Sequence, residues 1–467
     1  SQTFSASCCV SATGETDPER IYIMKSARQL AFEALLKINK DGAYSNLVVD
    51  AALKENPDLD ERDKAFMCNL VYGTLDRMIL IDYNLGLYLN QPVRKLKPEL
   101  HTVLRLGTYQ LLFMDKVPSR AAVNESVNLA KVNKSAFAAS LVNAVLRRVA
   151  DNGLRLPECS EDDPEYLAIK YSCPEWLISL WTEAYGRENA VALAEKALEA
   201  PPVVIRANTA KITADELIWR LAEEGVVSQR SEILPDALII SNTGSVDELI
   251  AYKEGFFHAQ DIASQLCCEA LDPQKGETVF DLCSAPGGKT FTIAEKMGGS
   301  GAVRAFDIYQ SRVELIKHGA ERLGLGNVYT YLSDASIFNE NYGLADRVLC
   351  DVPCSGLGII RRKPEIRFKK YSDIDSLPEL QYRIICNAVR YLKDGGRLVY
   401  STCTLNPKEN SGVCDRFLSE HPEFSAVRVF PDMPRYGEGD KYLTLMPHIH
   451  STDGFFIAVF QKDGGKK

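Results

Sequence analysis

From residue 278 onward, without any sequence repeat, short apolar runs that stop near an acidic or thiol residue alternate with helix-length amphipathic stretches. The runs are Thr278–Asp281, Val303–Phe306 ending in Asp307, Val328–Leu332 leading to Asp334, and Asp346–Cys350 ending in Asp351. Arg397–Ser401 follows a helix-length stretch over 377–393, and Phe455–Phe460 is a last run. Short strands alternating with helices pair in parallel, and a parallel sheet needs helices over both faces. The expected class for 241–467 is therefore an α/β, Rossmann-like domain. Ligands in such sheets lie outside the carboxyl ends of the strands, so the residues that end the runs are the first candidates for a site.

A chain of 467 residues is too long for one core. Residues 26–150 carry helical apolar stripes: Leu30, Ala34, Leu35 and Ile38; Phe66, Leu70 and Leu75; Val103, Leu104, Leu106, Leu111 and Leu112; Leu141, Val142, Val145, Leu146 and Val149. Pro57, Pro92, Pro98 and Pro118 punctuate them, so an all-helical domain is expected over 24–152. Gly153, Pro157 and Pro164 among acidic residues mark a linker over 153–165. Residues 166–240 read as a small α/β module, with strands at Val203–Arg206 and Leu238–Ser241 and a helix over Ala214–Glu224. The small, polar, acidic stretch 1–23 reads as a disordered leader before a domain that begins near Met24.

No run of 18 apolar residues exists, so no membrane span is expected. No basic segment followed by an apolar one opens the chain, so no signal peptide is visible. The 13 cysteines form no CxxC pair and no cluster with the six histidines, which disfavours a disulfide scaffold or zinc and fits a reducing cytoplasm. The net charge of −9 argues against nucleic-acid coating of the whole surface, but residues 24–152 carry a balance of +4. Six of the ten residues from Arg361 to Lys370 are basic.

The first strand runs into Cys283-Ser284-Ala285-Pro286-Gly287-Gly288-Lys289-Thr290 and then a helix. Glycines in such a turn admit a ligand close to the backbone, and the helix start offers free N–H groups. GxGxxG and GxxxxGK[ST] are both absent, which removes the dinucleotide and P-loop readings. Asp307, 26 residues beyond Asp281, is placed to accept ribose hydroxyls, and Asp334 to accept an exocyclic adenine amine. Three strand-end aspartates in register favour a nucleoside site over three unrelated turns.

Two cysteines stand in polar loops after neighbouring strands: Cys354 in Asp351-Val352-Pro353-Cys354-Ser355-Gly356, and Cys403 in Ser401-Thr402-Cys403-Thr404-Leu405-Asn406. Both are expected to face one cleft, whereas Cys350 and Cys283 suit core positions. A thiolate there can act as a covalent catalyst if local charge or N–H groups hold its pKa down. Spacing alone does not choose between Cys354 and Cys403. Asp351 is the nearest candidate acid.

The stretches DLCSAPGGKT, DVPCSGLG and STCTLNPKEN, with FFHAQDIASQL and STDGFFIAVFQK around them, resemble the bacterial ribosomal small-subunit (16S) RNA cytosine-5 methyltransferase B family of the Nol1/Nop2/Sun superfamily, over about 27–462. The resemblance implies a NusB-like helical domain, an RNA-recognition-like module and a methyltransferase domain that uses S-adenosylmethionine. It implies that Cys403 is the nucleophile and that Cys354 assists product release. It also implies that Asp281, the loop Ser284–Lys289, Asp307, Asp334 and Asp351 line the methyl-donor site; Cys283 and Arg312 are taken with them. The valine of DVPC stands where alanine is frequent. The chemistry so implied is addition of a thiolate to carbon 6 of cytosine, which lets carbon 5 take a methyl group. The expected partner is 16S ribosomal RNA, not DNA or a membrane, bound by a monomer without an obligate protein partner. The basic run 361–370 is expected to hold phosphates while the base leaves its stack. Two other readings stay open: a 5-methylcytosine enzyme for transfer RNA or 23S RNA, and a non-catalytic RNA-binding assembly or antitermination protein.

Overall fold

The structure, a computed structural model, describes residues 25–435 and 441–464; the leader expected over 1–23 lies outside them. Seven α-helices fill the first part: Ala27–Asp41, Ser45–Lys54, Glu61–Asp76, Met78–Gly86, Pro98–Phe113, Ser119–Val132 and Ala139–Asn152. Their starts follow local chemistry. Ser26 and Asp60 accept from the N–H groups of Gln29 and Asp63, and Pro98 opens its own helix. The stripes converge on one core, with Leu35, Leu70, Leu75, Val103, Leu104, Val142 and Leu146 at 1% exposure or less. Leu141, expected in the fourth stripe, is instead exposed. Phe66 is half-buried beneath the Arg28 guanidinium, 4.8 Å from its ring centre.

Strands β1 (Val203–Ala207), β2 (Val227–Arg230), β3 (Ala237–Ser241) and β4 (Phe257–Ala259) form an antiparallel sheet in the order β2-β3-β1-β4. The helix Ala214–Glu223 covers it, started by a capping box between Thr213 and Glu216. Strand β4 lies beyond residue 240, so this sheet closes with chain that the sequence assigned to the next domain. The helices Pro164–Lys170, Glu175–Tyr185 and Arg187–Lys196 pack elsewhere. Tyr166, Leu177, Trp181 and Leu193 share a core with Leu357, Ile360 and Leu405, which belong to the two cysteine loops.

The large sheet holds β5 (Thr278–Asp281), β6 (Ala302–Asp307), β7 (Val328–Leu332), β8 (Ala345–Asp351), β9 (Leu392–Thr402), β10 (Phe424–Ala426), β11 (Leu443–Leu445) and β12 (Phe455–Lys462). Its order is β7-β6-β5-β8-β9-β12-β10, with β11 paired to β12. The run from β7 to β9 is parallel, and β12 is antiparallel to its neighbours. Alternate residues serve opposite faces. Val279, Leu349, Val399 and Ile457 meet the helices Ile262–Leu271, Gly288–Lys296 and Gln310–Leu323. Phe280, Val348, Tyr400 and Phe456 meet Leu377–Ala388 and Ser411–Glu420. The chain leaves β5 toward β6 on one side and returns to β8 on the other. The topological switch point, where a ligand crevice opens, therefore lies between β5 and β8.

Candidate active site

A cleft of about 390 Å³ opens at that switch point. It is lined by Asp281, Cys283, Ser284, Ala285, Pro286, Gly288 and Lys289 from the loop after β5, by Asp351 after β8 and by Cys403 after β9. Asp307, Arg312, Asp334, Gly287 and Cys354 do not line it. Among the described residues all cysteines are free thiols, and no helix is long and apolar enough to cross a membrane.

The loop after β5 is held in shape by its own polar groups. Ser284 Oγ donates to the Asp281 carbonyl at 2.6 Å and accepts from the Phe306 N–H at 3.0 Å. The Ala285–Pro286 bond is cis. Gly287 has φ +111°, and a Cβ there would lie 2.3 Å from the Phe291 ring, so both backbone and packing demand glycine. Asp281 is buried. Its Oδ2 accepts from Thr290 Oγ1 at 2.7 Å, and its Oδ1 has no hydrogen-bond partner. Burial pushes this carboxyl up to about 6, against the Thr290 hydrogen bond.

Asp351 accepts from two sides, Lys289 Nζ at 2.7 Å and Ser401 Oγ at 2.7 Å. Burial works against the Lys289 ammonium, but Asp351 outweighs it and the lysine pKa rises. The proton of this pair therefore sits on Lys289, a partner that the sequence reading left without a fixed role. Asp307 Oδ1 accepts from the Tyr309 N–H at 3.0 Å, with the Arg312 guanidinium 4.0 Å from Oδ2. Asp334 Oδ1 is engaged by the N–H and hydroxyl of Ser336 and shapes a turn.

The two thiols meet. Cys354 Sγ lies 3.1 Å from Cys403 Sγ. The hydrogen bond with Cys403, followed by burial, pushes the Cys354 thiol well up. Cys354 thus keeps its proton at neutral pH, and either sulfur can donate in the contact between them. Two features that the sequence did not single out hold the loops together. The buried Glu409 carboxylate accepts from the Ser355 N–H, Gln381 Nε2 and Asn406 Nδ2, each at 2.9 Å. Gly358 donates its N–H to the Cys403 carbonyl at 3.0 Å, and the Gly454 N–H reaches the Gly358 carbonyl at 2.9 Å. Glu409 falls inside STCTLNPKEN, but only its burial distinguishes it from a surface glutamate.

The basic run is largely committed inside the protein, which corrects its expected role as a phosphate rail. Arg361 and Arg362 pair with Asp453, and Arg362 also with Asp261 at 3.0 Å. Arg367 is 1% exposed and donates to the carbonyls of Asp76, Ser172 and Ala197. Lys363 stands over the Tyr44 ring, and Lys369 donates to the Ser355 carbonyl. Lys370 is the exposed member.

These residues fit a nucleoside methyl donor: a buried carboxylate oxygen without a partner, a helix start bordering the cleft, and room beside Gly288, where a Cβ would meet nothing nearer than Gln260 at 3.8 Å. Comparison with known proteins gives the same picture along the chain. Residues 25–151 match the NusB family, 173–247 the ferredoxin-like domain of RsmF/B-like methyltransferases, and 268–461 the 16S rRNA methyltransferase RsmB/F family. The chain is 39% identical over 446 residues to a probable ribosomal RNA small subunit methyltransferase B of Bacillus subtilis, covering 94% of this chain and 99% of that one. It is 30% identical to ribosomal RNA small subunit methyltransferase B of Proteus mirabilis, covering 93% and 98%. The solved structure of PH0851 matches with a TM-score of 0.81 at 29% identity over 93% of this chain and 99% of that one. NSun6 from Pyrococcus horikoshii, solved with SFG, matches with 0.57 at 25% identity over 62% and 98%. The protein is a methyltransferase that uses S-adenosylmethionine. With its three domains in this order and relatives aligned over nearly their whole length, the chain belongs to the ribosomal RNA small subunit methyltransferase B family.

Proposed function

We propose that the protein methylates carbon 5 of a cytosine in 16S ribosomal RNA through a covalent bond between Cys403 Sγ and carbon 6 of the ring. The observation that carries the reading is the contact of Cys354 Sγ with Cys403 Sγ at 3.1 Å, with Cys403 opening on the switch-point cleft. Bound S-adenosylmethionine supplies an electrophilic methyl group. Asp281, Cys283 and the loop Ser284–Lys289 at the cleft would hold it, with Asp307, Arg312 and Asp334 outside the cleft lining proposed to meet its nucleoside end. Cys403 is the sulfur that borders the cleft, from which a thiolate can reach carbon 6 of a bound ring. Addition at carbon 6 gives carbon 5 the character of an enamine. The Asp351–Lys289 pair faces ring nitrogen 3, where negative charge builds, with its proton lodged on Lys289. Once carbon 5 has taken the methyl group, a base removes its proton, the carbon 5–carbon 6 double bond re-forms and the Cys403 Sγ–carbon 6 bond breaks, with Cys354 beside the adduct to assist release.

The substrate follows the names of the relatives in Bacillus subtilis and Proteus mirabilis. The test is to map 5-methylcytosine in total RNA with and without the gene. Loss at one 16S position is expected. Loss from transfer RNA or 23S RNA would replace the substrate. An unchanged map, with methyl donor unbound, would favour the assembly-protein reading.

A further inference from the structure

We propose that Gln260 binds the carboxylate of the methyl donor's amino-acid tail through its Nε2 group, so that the donor site extends from the loop after β5 to the small antiparallel sheet. Gln260 directly follows β4 and lines the switch-point cleft, yet it is only 7% exposed. Its amide is oriented from one end. Thr292 Oγ1 donates to Oε1 at 2.7 Å, and His258 Nε2 lies 3.3 Å from the same oxygen. Its backbone is anchored as well: the N–H donates to the Val204 carbonyl at 3.0 Å, and the carbonyl accepts from Gln265 Nε2 at 3.0 Å. With Oε1 engaged, Nε2 carries two N–H donors, and it has no hydrogen-bond partner.

A buried amide donor left free in this way costs stability unless a ligand accepts from it. Beside it stands a second set of free donors. The helix Gly288–Lys296 begins against the cleft, and Gln260 is the nearest group to the space where a Cβ on Gly288 would fall, at 3.8 Å. The first N–H groups of a helix carry partial positive charge and no intrahelical partner. Neutral and partly positive donors set this close together favour an anion between them. S-adenosylmethionine carries one, the carboxylate of its methionine part. The strand-end aspartates are acceptors and suit its ribose and amino groups instead.

The proposal rests on the donor reading of the cleft, and two ligands separate the two ideas. S-adenosylhomocysteine has the amino-acid tail; 5′-methylthioadenosine has the same nucleoside and no tail. Binding of each is measured by calorimetry on the full chain, without RNA and without turnover. Gln260→Leu is expected to weaken S-adenosylhomocysteine roughly tenfold to a hundredfold, the range of a lost charge-assisted hydrogen bond, and to leave 5′-methylthioadenosine within about twofold. Gln260→Glu is expected to weaken the first ligand further, because a carboxylate then faces a carboxylate. Thr292→Val, which releases the amide, is expected to act in the same direction less strongly. Unchanged S-adenosylhomocysteine binding, or equal loss of both ligands, overturns the role of Gln260 and leaves the donor site standing. Failure of the unmodified protein to bind either ligand overturns both.

Discussion

Arg367 and Asp76, 291 residues apart in sequence, form a buried joint between the catalytic and helical domains. The guanidinium donates to the Asp76 carbonyl at 2.8 Å and to its carboxylate at 3.2 Å. Next to it, the Glu365 carboxylate accepts from Ser45 Oγ at 2.7 Å and from the Ser45 N–H at 3.2 Å, at the start of a helix. The loop after Cys354 thus docks the helical domain.

Removing one partner of a buried ion pair leaves the other charge uncompensated. Arg367→Met should destabilise the protein by about 3–5 kcal/mol, read by urea unfolding. A loss below about 1 kcal/mol would mean that the joint carries no energetic weight.

Asp76 also gives the protein a pH dependence. Burial raises its carboxyl to about 6, against the pull of Arg367 and Arg77. A carboxyl with a higher pKa in the folded state takes up a proton on folding. That stabilisation is fully present below the unfolded value of about 4 and is lost as pH rises through the folded one. Unfolding free energy should therefore contain a falling component between about pH 4 and 6. Asp76→Asn should flatten it in part, the remainder coming from Asp281, which is also raised to about 6, and from Asp261, which burial also raises. Identical slopes in both proteins would rule the assignment out.

The sulfur pair predicts opposite phenotypes. Cys403→Ala should abolish methyl transfer and covalent trapping with RNA containing 5-fluorocytosine. Cys354→Ala should retain adduct formation and accumulate a slowly resolved complex, seen as a shifted band on a denaturing gel. The reverse pattern would exchange the two roles.

Gly358 sets the spacing of the cysteine loops. A Cβ there would lie 2.0 Å from the Gly454 carbonyl oxygen and 2.9 Å from that of Cys403. Gly358→Ala must push the loops apart, and a displacement near 1 Å at a reacting group costs about 10²-fold in rate. Single-turnover methylation that stays within threefold of the unmodified enzyme would show that the spacing is not critical.

RNA contacts should come from the cations that the fold leaves to solvent. Lys370→Glu should weaken RNA binding and flatten its salt dependence by about 0.7 per lost contact on a single strand. Reversal of Arg361 or Arg362 should instead lower stability, because Asp453 and Asp261 depend on them. An unchanged salt slope for Lys370→Glu would place the RNA elsewhere.

Local pattern alone determined much of this protein. Helical stripes such as Leu30, Leu35 and Ile38 specify buried helix faces, and apolar runs closed by Asp281, Asp307 and Asp351 specify strands with polar tips. Period and burial are properties of neighbouring residues, so the sequence carries them directly. The polar loops around Cys354 and Cys403 were legible for the same reason, whereas the roles proposed for the two thiols came from the family resemblance. Tertiary structure decided what depends on partners far along the chain. It captured Arg361 and Arg362 with Asp453 and Asp261 inside the catalytic domain, and Arg367 with Asp76 of the helical domain, so that a run expected to hold RNA became internal ion pairs and a domain joint. It set the helices of 164–196 behind the cysteine loops and joined β4 to β1. A charge in the sequence is free or paired only according to which carboxylate folding brings to it, and no local period encodes that choice.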